Sequence, residues 1–214
     1  MVGLSRLEDG AEGHLGRVIE MHVATSTPKP KVWPENEDRF RELVLYISQK
    51  CANDPRFGSV KLSKILFLSD FLAFAHYGEP ITGFEYQKLE QGPAPRRLLP
   101  LRKQMIENKE LGLQEIPLKN GNTQIRTVNL RRPNLAVFKA EHIAVVDTVI
   151  DALSAADAET TSELTHKMVG WKAARFKETI PYETIFLTDE PLSDADVERG
   201  REIAEEHGLA IQEA

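Results

Sequence analysis

Cysteine is almost missing from this chain of 214 residues, because Cys51 is its only thiol. A single cysteine excludes a disulfide framework and a cysteine-based zinc site within one chain. Apolar runs long enough to cross a bilayer are also missing, and residues 1–20 lack the basic-then-apolar layout of a signal peptide. We therefore expect a cytoplasmic protein without a membrane partner.

Signatures of enzyme active sites are missing as well. The sequence holds no phosphate-binding loop, no Gly-x-Ser-x-Gly motif, no His-Glu-x-x-His motif and no cysteine–histidine pair of a thiol nucleophile. We therefore expect no enzymatic activity, and hydrolysis is the least favoured function considered. We likewise expect no metal, no cofactor and no small-molecule substrate.

Charge is distributed unevenly along the chain, which has a formal net charge of −6. Residues 94–139 hold ten Lys and Arg against three Asp and Glu, whereas residues 140–214 hold six against seventeen. A basic block in an acidic chain either marks an anionic partner or faces the acidic region across the fold. The charge pattern leaves both alternatives open.

Proline spacing and periodicity divide the chain into a tail and one domain. Residues 1–34 show no sustained periodicity and end in three spaced prolines, which favour an extended linker. We predict a flexible amino-terminal tail or linker over 1–34 and a single domain with a carboxy-terminal helix over 35–214. A chain of this length, 41% hydrophobic, can bury one full core.

Apolar periodicity predicts a first helix and a central one. Phe40, Leu43, Val44 and Ile47 recur on one helical face that begins near Asn36. The following segment, VKLSKILFLSDFLAFAHYG, is apolar on nearly every side, which is typical of a helix in the middle of a core. We therefore predict a mainly α fold in which other helices surround this one.

The β content is predicted to be small and antiparallel, which makes the fold class α+β. Two alternating runs flank Asn120-Gly121, a dipeptide that strongly favours a tight turn, so we predict one β-hairpin there. Ser193 and Asp196 form a helix-capping pattern, and His207-Gly208 is typical of the end of a helix. These signals predict a last helix over 193–207.

The stretch KLEQGPAPRRLLP joins a predicted strand to a predicted helix through the Gly-Pro-Ala-Pro segment 92–95. Because proline fixes φ and lacks a backbone donor, we expect an extended corner outside any strand ladder. Such a corner either ends the strand or presents Arg96 and Arg97 outward beside Tyr86. Arginine and tyrosine on a preorganised surface would suit partner binding.

Several single residues also need an explanation. Asp70 lies in an otherwise apolar helix, where an unpaired carboxylate is costly, so we expect it to have a fixed structural partner. His166 is expected to pair with Asp70 or to cap the preceding turn, because no second histidine stands at a metal-binding spacing. Trp171 is expected in the core or at its edge. Lys61 and Lys64 lie one turn apart and form either a solvated flank or part of a binding surface.

Two segments resemble a known family. The segment VKLSKILFLSDFLAFAHYGEPITGFEYQKLEQGPAPRRL resembles the opening of the Panacea domain, the SocA-like antitoxin family of bacteria and their phages. There a Lys-Leu-x-Lys helix leads through Tyr-Gly to a strand that ends in Gly-Pro-x-Pro. The segment ELTHKMVGWKAAR resembles a later part of the family, where a Ser/Thr-His pair precedes a Trp. The matching residues are Lys61, Leu62, Lys64, Tyr77, Gly78, Gly92, Pro93, Pro95, Thr165, His166 and Trp171.

This resemblance covers about half of the chain, roughly residues 58–110 and 160–185. It implies an antitoxin, phage-associated or bacterial, that neutralises a cognate toxin by direct protein contact, with the toxin encoded beside it. It implies no catalysis. The candidate partner-binding residues are Lys61, Lys64, Tyr86, Pro93, Pro95, Arg96 and Arg97, and the structural polar candidates are Asp70, His166 and Trp171.

The alternative function is a winged-helix-like transcriptional regulator that binds operator DNA. A helix over 95–110 would read the groove, and the hairpin that follows would form the wing. Its candidate phosphate and base contacts are Arg96, Arg97, Arg102, Lys103, Lys119, Arg126, Arg131 and Arg132. The acidic character of the whole chain and the proline at position 100 disfavour this alternative.

Overall fold

A computed structural model describes residues 33–118, 121–191 and 193–206 of the chain. The described residues form a mainly helical α+β structure, which confirms the predicted fold class. The helices are α1 Glu37–Lys50, α2 Ser59–Tyr77, α3 Leu98–Glu107, α4 Ala140–Ala152, α5 Ala158–His166, α6 Val169–Ala173 and α7 Asp194–Glu206. The strands are β1 Tyr86–Leu89, β2 Gly92–Pro95, β3 Leu111–Pro117, β4 Thr123–Asn129 and β5 Thr179–Ile180. Two 3₁₀-helices span Leu135–Val137 and Tyr182–Phe186.

Helix α2 is the centre of the core, as its sequence predicts. Fourteen of its nineteen residues are buried, and it packs against α1, α4, α5 and β2. The helix ends at Gly78, whose φ of 71° is typical of a glycine C-cap. Apolar side chains on all faces explain this central position, because each fully buried Phe or Leu contributes about 1.5–3 kcal/mol.

Helix α1 packs its predicted apolar face into the core. Asn36 caps the first turn by accepting a hydrogen bond from the backbone N–H of Arg39 at 2.9 Å. The Phe40 ring stacks on Phe84 with centroids 4.1 Å apart. Because Phe84 lies just before β1, this contact fixes the entry of that strand against the core.

The Gly-Pro-Ala-Pro segment forms strand β2, which pairs antiparallel with β1, while β5 pairs with the other edge of β1. The expectation of a corner outside any ladder is therefore wrong. The backbone N–H of Arg96 donates to the carbonyl of Glu85 at 2.9 Å, so the even-numbered positions of this segment face β1. Pro93 and Pro95 occupy the alternate positions of an edge strand, where a missing donor costs no ladder hydrogen bond.

Strands β3 and β4 form the predicted hairpin and pair along their whole length. Of its predicted turn, Gly121 has a φ of 84°, whereas Asn120 lies outside the described residues. The fold has a second hairpin, β1–β2, where the sequence predicted a single one, because the prolines of β2 are compatible with an edge strand.

The carboxy-terminal helix α7 begins as predicted. The Ser193 hydroxyl accepts from the backbone N–H of Asp196, and the Asp196 carboxylate accepts from the backbone N–H and the hydroxyl of Ser193. This helix has no buried residue. Its predicted end at His207 lies outside the described residues, as does the predicted tail except for Trp33 and Pro34. Within the part of the chain that the structure describes, every helix is too short or too polar to cross a membrane.

Candidate functional site

Strand β2 lies directly on helices α2 and α5, and a glycine makes this close contact possible. Gly92 has a φ of 91°, and a Cβ there would lie 2.8 Å from Lys64 Nζ and 2.7 Å from Thr165 Oγ1. A larger residue would therefore displace the lysine or the helix. Ser162 of α5 also donates to the carbonyl of Gln91 at 3.0 Å. The Gly-Pro-x-Pro segment is thus held on α2 beside Lys64.

Five of the seven candidate partner-binding residues are buried. Lys61, Lys64 and Tyr86 are each 1% exposed, and Pro93 and Pro95 are also buried. These five side chains therefore do not lie on the exposed surface, and the alternative of a solvated flank at Lys61 and Lys64 is wrong. Their role in partner binding stays a prediction. Because α2 is buried along most of its length, even the lysines at its start point into the protein. The prolines and the tyrosine lie in the hairpin that covers this helix.

Lys61 is buried together with its counter-charge. Its Nζ lies 2.7 Å from Asp54 Oδ2 and also donates to the carbonyl of Ala156 at 2.8 Å. Asp54 comes from the turn before α2, and Ala156 follows α4. Lys61 therefore joins two distant loops to the central helix, which is a structural role.

Lys64, one turn further along α2, is buried without a carboxylate. Its Nζ donates to the carbonyl of Pro93 at 2.9 Å, and no acidic side chain of the described residues lies within ion-pair distance. Burial lowers the pKa of Lys64 to about 7, because the charged form loses its hydration. This lysine is therefore the electrostatically unbalanced member of the pair.

Asp70 occupies the other half of α2 and is fully buried. Its Oδ1 accepts a hydrogen bond from the backbone N–H of Thr82 at 2.7 Å, and its Oδ2 accepts from the Thr82 hydroxyl and from the Tyr86 hydroxyl, the latter at 2.7 Å. These bonds attach the turn before β1 to the central helix. Asp70 therefore has fixed partners in the β1 region and acts as an internal cap of that turn.

The hydrogen bonds of the Tyr86 hydroxyl depend on whether the Asp70 carboxyl group is protonated. The Tyr86 hydroxyl has one proton and two acceptors in reach, Asp70 Oδ2 and the carbonyl of Leu66 at 2.9 Å. A protonated Asp70 can donate to that hydroxyl, which then donates to Leu66. Burial raises the pKa of Asp70 to about 6, although the hydrogen bonds from Thr82 and Tyr86 act in the opposite direction.

His166 and Trp171 form a stacked pair with ring centroids 3.9 Å apart and an interplanar angle of 16°. The predicted pairing of His166 with Asp70 is wrong, because Asp70 binds the turn before β1 instead. Burial and the neighbouring Lys64 lower the pKa of His166. Lys88, on β1, places its Nζ 4.2 Å from the Trp171 ring centroid. This half-buried tryptophan therefore joins α6 to the small sheet at the edge of the core.

Arg96, another candidate partner-binding residue, is partly exposed, with 39% of its side-chain surface accessible. It bonds to the Glu85 carboxylate at 3.1 Å, to the Thr179 hydroxyl at 2.9 Å and to the carbonyl of Lys177 at 3.1 Å. These contacts tie the end of β2 to the turn before β5. That turn presents Phe176, which is 59% exposed.

Arg97 faces the opposite side of the corner. It forms ion pairs with Glu35 at 2.6 Å and Glu37 at 2.9 Å, and its guanidinium lies 5.6 Å from the Phe84 ring centroid. The hydrogen bonds and charges of the two glutamates raise the pKa of Arg97. Its charge is thus balanced by the start of α1.

A pocket of about 450 Å³ opens between the start of α2, the β1–β2 hairpin and α3, and we call it the corner pocket. Its lining includes Ser59, Lys64, Leu99, Arg102 and Phe176. Leu99 is 67% exposed and Phe176 is 59% exposed, so two large apolar side chains border one opening. Exposed apolar groups around a concave opening are typical of an interaction site.

Sequence reasoning missed Leu99 and Phe176 as site residues. Leu99 follows Leu98, which takes the buried face of α3 together with Leu101 and Met105, so a signal existed in the helical spacing. Phe176 stands among charged residues in ARFKE, which also suggests exposure. Neither pattern indicates that the two side chains meet at one pocket.

Most basic side chains invoked for DNA binding are engaged within the chain. Arg126 donates to the carbonyls that follow α1, and Arg131 pairs with Glu42 at 2.6 Å and with Glu110. In the described residues, the ion pairs of the basic block with distant carboxylates reach acidic residues of 35–110. The acidic region 140–214 contributes Glu141, which is 3.8 Å from its chain neighbour Lys139, so the described ion pairs do not support the alternative that the block faces this region. The described residues also hold no cluster of three or more metal-ligating side chains.

Comparison with known proteins gives one match. A family model described as antitoxin SocA-like, Panacea domain, matches residues 62–172, which is more than half of the chain. The matched range runs from Leu62 in α2 to Lys172 in α6 and includes β1, β2 and α3. Neither the curated proteins nor the solved structures contain a match to this chain.

Proposed function

The chain belongs to the SocA-like antitoxin, Panacea domain family, and we propose that it binds and silences a cognate toxin protein by direct contact. The toxin would be encoded by the adjacent gene in a bacterial or phage toxin–antitoxin pair. The family points to a non-catalytic role, and we propose that the protein acts in the cytoplasm by binding alone.

The observation that carries this proposal is the apolar rim of the corner pocket. Leu99 and Phe176 expose most of their side chains on the two sides of one opening. Burying such a side chain at an interface contributes about 1.5–3 kcal/mol. Arg96 fixes the turn of Phe176 against β2, so the rim is preorganised, which lowers the entropic cost of binding.

The test is co-expression of the chain with the growth-arresting product of the adjacent gene. We expect growth to be restored and the two proteins to copurify. Leu99→Asp combined with Phe176→Asp should abolish rescue and weaken the complex at least about 100-fold, because two apolar contacts are lost and two charges are buried. Growth arrest that persists with both unmodified proteins at comparable levels contradicts the proposed function.

A matched control separates the rim from general surface effects. Leu130, which follows β4, is 61% exposed and therefore as accessible as the rim residues. Leu130→Asp should leave rescue and complex formation unchanged. Equal losses in the control and in the rim variant would place the toxin-binding surface elsewhere.

We also propose that the functional domain includes residues 35–214 and that the chain before Trp33 acts as a linker, on the basis of the spaced prolines and missing periodicity. Removal of residues 1–32 should leave the melting temperature within a few degrees of the full-length value. The deletion stops before Trp33, which packs on Phe74 with ring centroids 6.1 Å apart. A larger loss of stability, measured by circular dichroism, would show that the removed residues belong to the domain.

No observation favours the alternative of operator binding, because Arg97, Arg126 and Arg131 already have acidic or carbonyl partners. DNA binding by electrostatics would be strongest at low salt. Steep, salt-dependent binding to operator DNA that is lost in Arg132→Ala would reinstate this alternative.

A further inference from the structure

The corner pocket contains two cations that the described residues do not neutralise. Lys64 lines it from α2 and Arg102 from α3. Neither forms an ion pair with an acidic side chain in the described parts of the chain. Three other cations of the basic block, Arg96, Arg97 and Arg131, do have carboxylate partners. Lys64 and Arg102 differ from these three because no carboxylate balances their charge within the described residues.

Lys64 keeps unused hydrogen-bonding capacity at the pocket. An ammonium group has three donors, and the contacts of Nζ account for one of them, the bond to Pro93. The side chain is 1% exposed, so its solvation by bulk water is weak. A buried cation in this state is stabilised strongly by an anion that reaches it.

Arg102 lies on the opposite wall, is half-buried and also has no carboxylate partner among the described residues. Its guanidinium has five donors, and one nitrogen donates to the Ser59 hydroxyl at 2.9 Å. Burial lowers the pKa of Arg102, and no opposite charge counteracts this effect. Ser59 in turn donates to the carbonyl of Ile125, so its oxygen is free only to accept.

One acidic residue, Glu90, also lines the pocket. It is exposed and forms no ion pair with Lys64 or Arg102. Arg96 also lines the pocket, but its charge is paired with Glu85 at 3.1 Å, so Lys64 and Arg102 are the two cations available to an anion. Burial lowers the pKa of Lys64 to about 7, and an entering carboxylate would favour its charged form.

We propose that the corner pocket receives an aspartate or glutamate side chain from the toxin surface, which pairs with Lys64 and Arg102 while flanking apolar residues cover Leu99 and Phe176. This inference rests on the proposed antitoxin function and names the chemistry of its contact. Arginine offers a bidentate fork to a carboxylate, and lysine adds a point charge.

The shape of the site favours an acidic side chain carried by a protein surface. Pro95, Leu98 and Leu99 contribute apolar walls to the pocket of about 450 Å³. The apolar rim needs an apolar surface around the entering charge, which a folded partner provides. A carboxylate at such a centre would act as a hot spot, with the rim excluding water around it.

The first experiment tests the contact with the toxin produced from the adjacent gene. Lys64→Met and Arg102→Met should each weaken the affinity for that toxin at least about tenfold, equivalent to about 1.4 kcal/mol. Lys103→Met is the charge-matched control, because Lys103 lies on the same helix, next to Arg102, with its side chain 79% exposed. The control should bind within about twofold of the unmodified chain. Circular-dichroism melts of all variants report whether each has folded.

The second experiment tests the pocket without the toxin and with the unmodified chain. Acetyl-Leu-Glu-Leu-amide should bind with millimolar affinity and shift the Cε resonance of Lys64 in a lysine-labelled sample, assigned with Lys64→Met. Acetyl-Leu-Gln-Leu-amide, which lacks only the charge, should bind at least about tenfold more weakly. Equal binding of both peptides, or binding of neither, contradicts the carboxylate contact even where a variant fails to fold.

The outcomes separate the two proposals. Full toxin affinity in folded Lys64→Met and Arg102→Met overturns the pocket contact and leaves the antitoxin function intact. A failure of the unmodified chain to bind the toxin overturns the function, whereas selective Glu-peptide binding would still support the pocket. Tighter binding of inorganic phosphate than of the Glu peptide, or a gain in peptide affinity after removal of residues 207–214, would assign the pocket to another anion and overturn the inference.

Discussion

Lys61 and Lys64 lie one turn apart on the same helix and are equally buried, yet their surroundings are opposite in character. The region around Lys61 supplies a carboxylate from Asp54 and a loop carbonyl. The region around Lys64 supplies a single proline carbonyl and opens into a pocket. The difference indicates that burial alone does not define the role of a cation. A buried cation with a carboxylate partner stabilises the fold, whereas one without such a partner is available to bind an anion.

A third buried charge, Asp70, extends this comparison and gives the largest expected effect. Its pKa is raised from 3.8 to about 6, so the folded state holds its proton at pH values where the unfolded state has released it. The resulting stabilisation is fully present below pH 3.8 and is lost as the pH rises through about 6, a change of about 3 kcal/mol. Asp70→Asn should remove this pH-dependent contribution to the free energy of unfolding.

The measurement is urea denaturation of both proteins between pH 3.5 and 7. The difference between the free energies of unfolding, wild type minus Asp70→Asn, should fall as the pH rises. The asparagine preserves the shape and an acceptor for Thr82, so the variant is the matched neutral reference. A pH-independent difference would show that Asp70 ionises as it does in an unfolded chain.

The second largest effect is expected at Lys61, whose charge is balanced within the fold. Lys61→Met should lower the free energy of unfolding by about 2 kcal/mol, because it leaves the Asp54 carboxylate without its cation and two loops without their link to α2. The loss stays below that of a fully buried pair, since Asp54 is 17% exposed. Asp54→Asn in the same background should restore part of the stability, as measured by chemical denaturation. A change of less than about 0.5 kcal/mol would contradict a structural role.

The smallest loss of stability is expected at Lys64. Lys64→Met should not lower the free energy of unfolding at pH 7, because the lost bond to Pro93 is offset by the removal of a poorly solvated charge. The sign of its pH dependence follows from the depressed pKa of about 7. Above pH 7 the unfolded lysine binds more protons than the folded one, so the wild type should gain stability relative to the variant as the pH rises toward 10.5. A loss of unfolding free energy at pH 7 as large as that of Lys61→Met would show that Lys64 has the same structural role as Lys61.

Local pattern was sufficient for the helices but not for the small sheet. The apolar spacing of Phe40 to Ile47 and the uniformly apolar α2 have one favourable placement each, so their burial follows from composition. The Gly-Pro-Ala-Pro segment was predicted outside a ladder, because proline is a poor strand former in general. Its alternate prolines fit an edge strand only when a partner lies on one side, and a sequence read residue by residue does not reveal that side.

The sequence by itself determined the helical α+β class, the central helix, the β3–β4 hairpin and the family resemblance, since each depends on periodicity or on spacing within a short segment. Only the tertiary structure decided which charges are balanced. Asp54 and Lys61 come together through a turn, and Leu99 and Phe176, 77 positions apart, meet at one opening through the β1–β2–β5 sheet. Electrostatic balance and surface shape depend on distances between segments, and the folded chain fixes those distances while the order of residues does not.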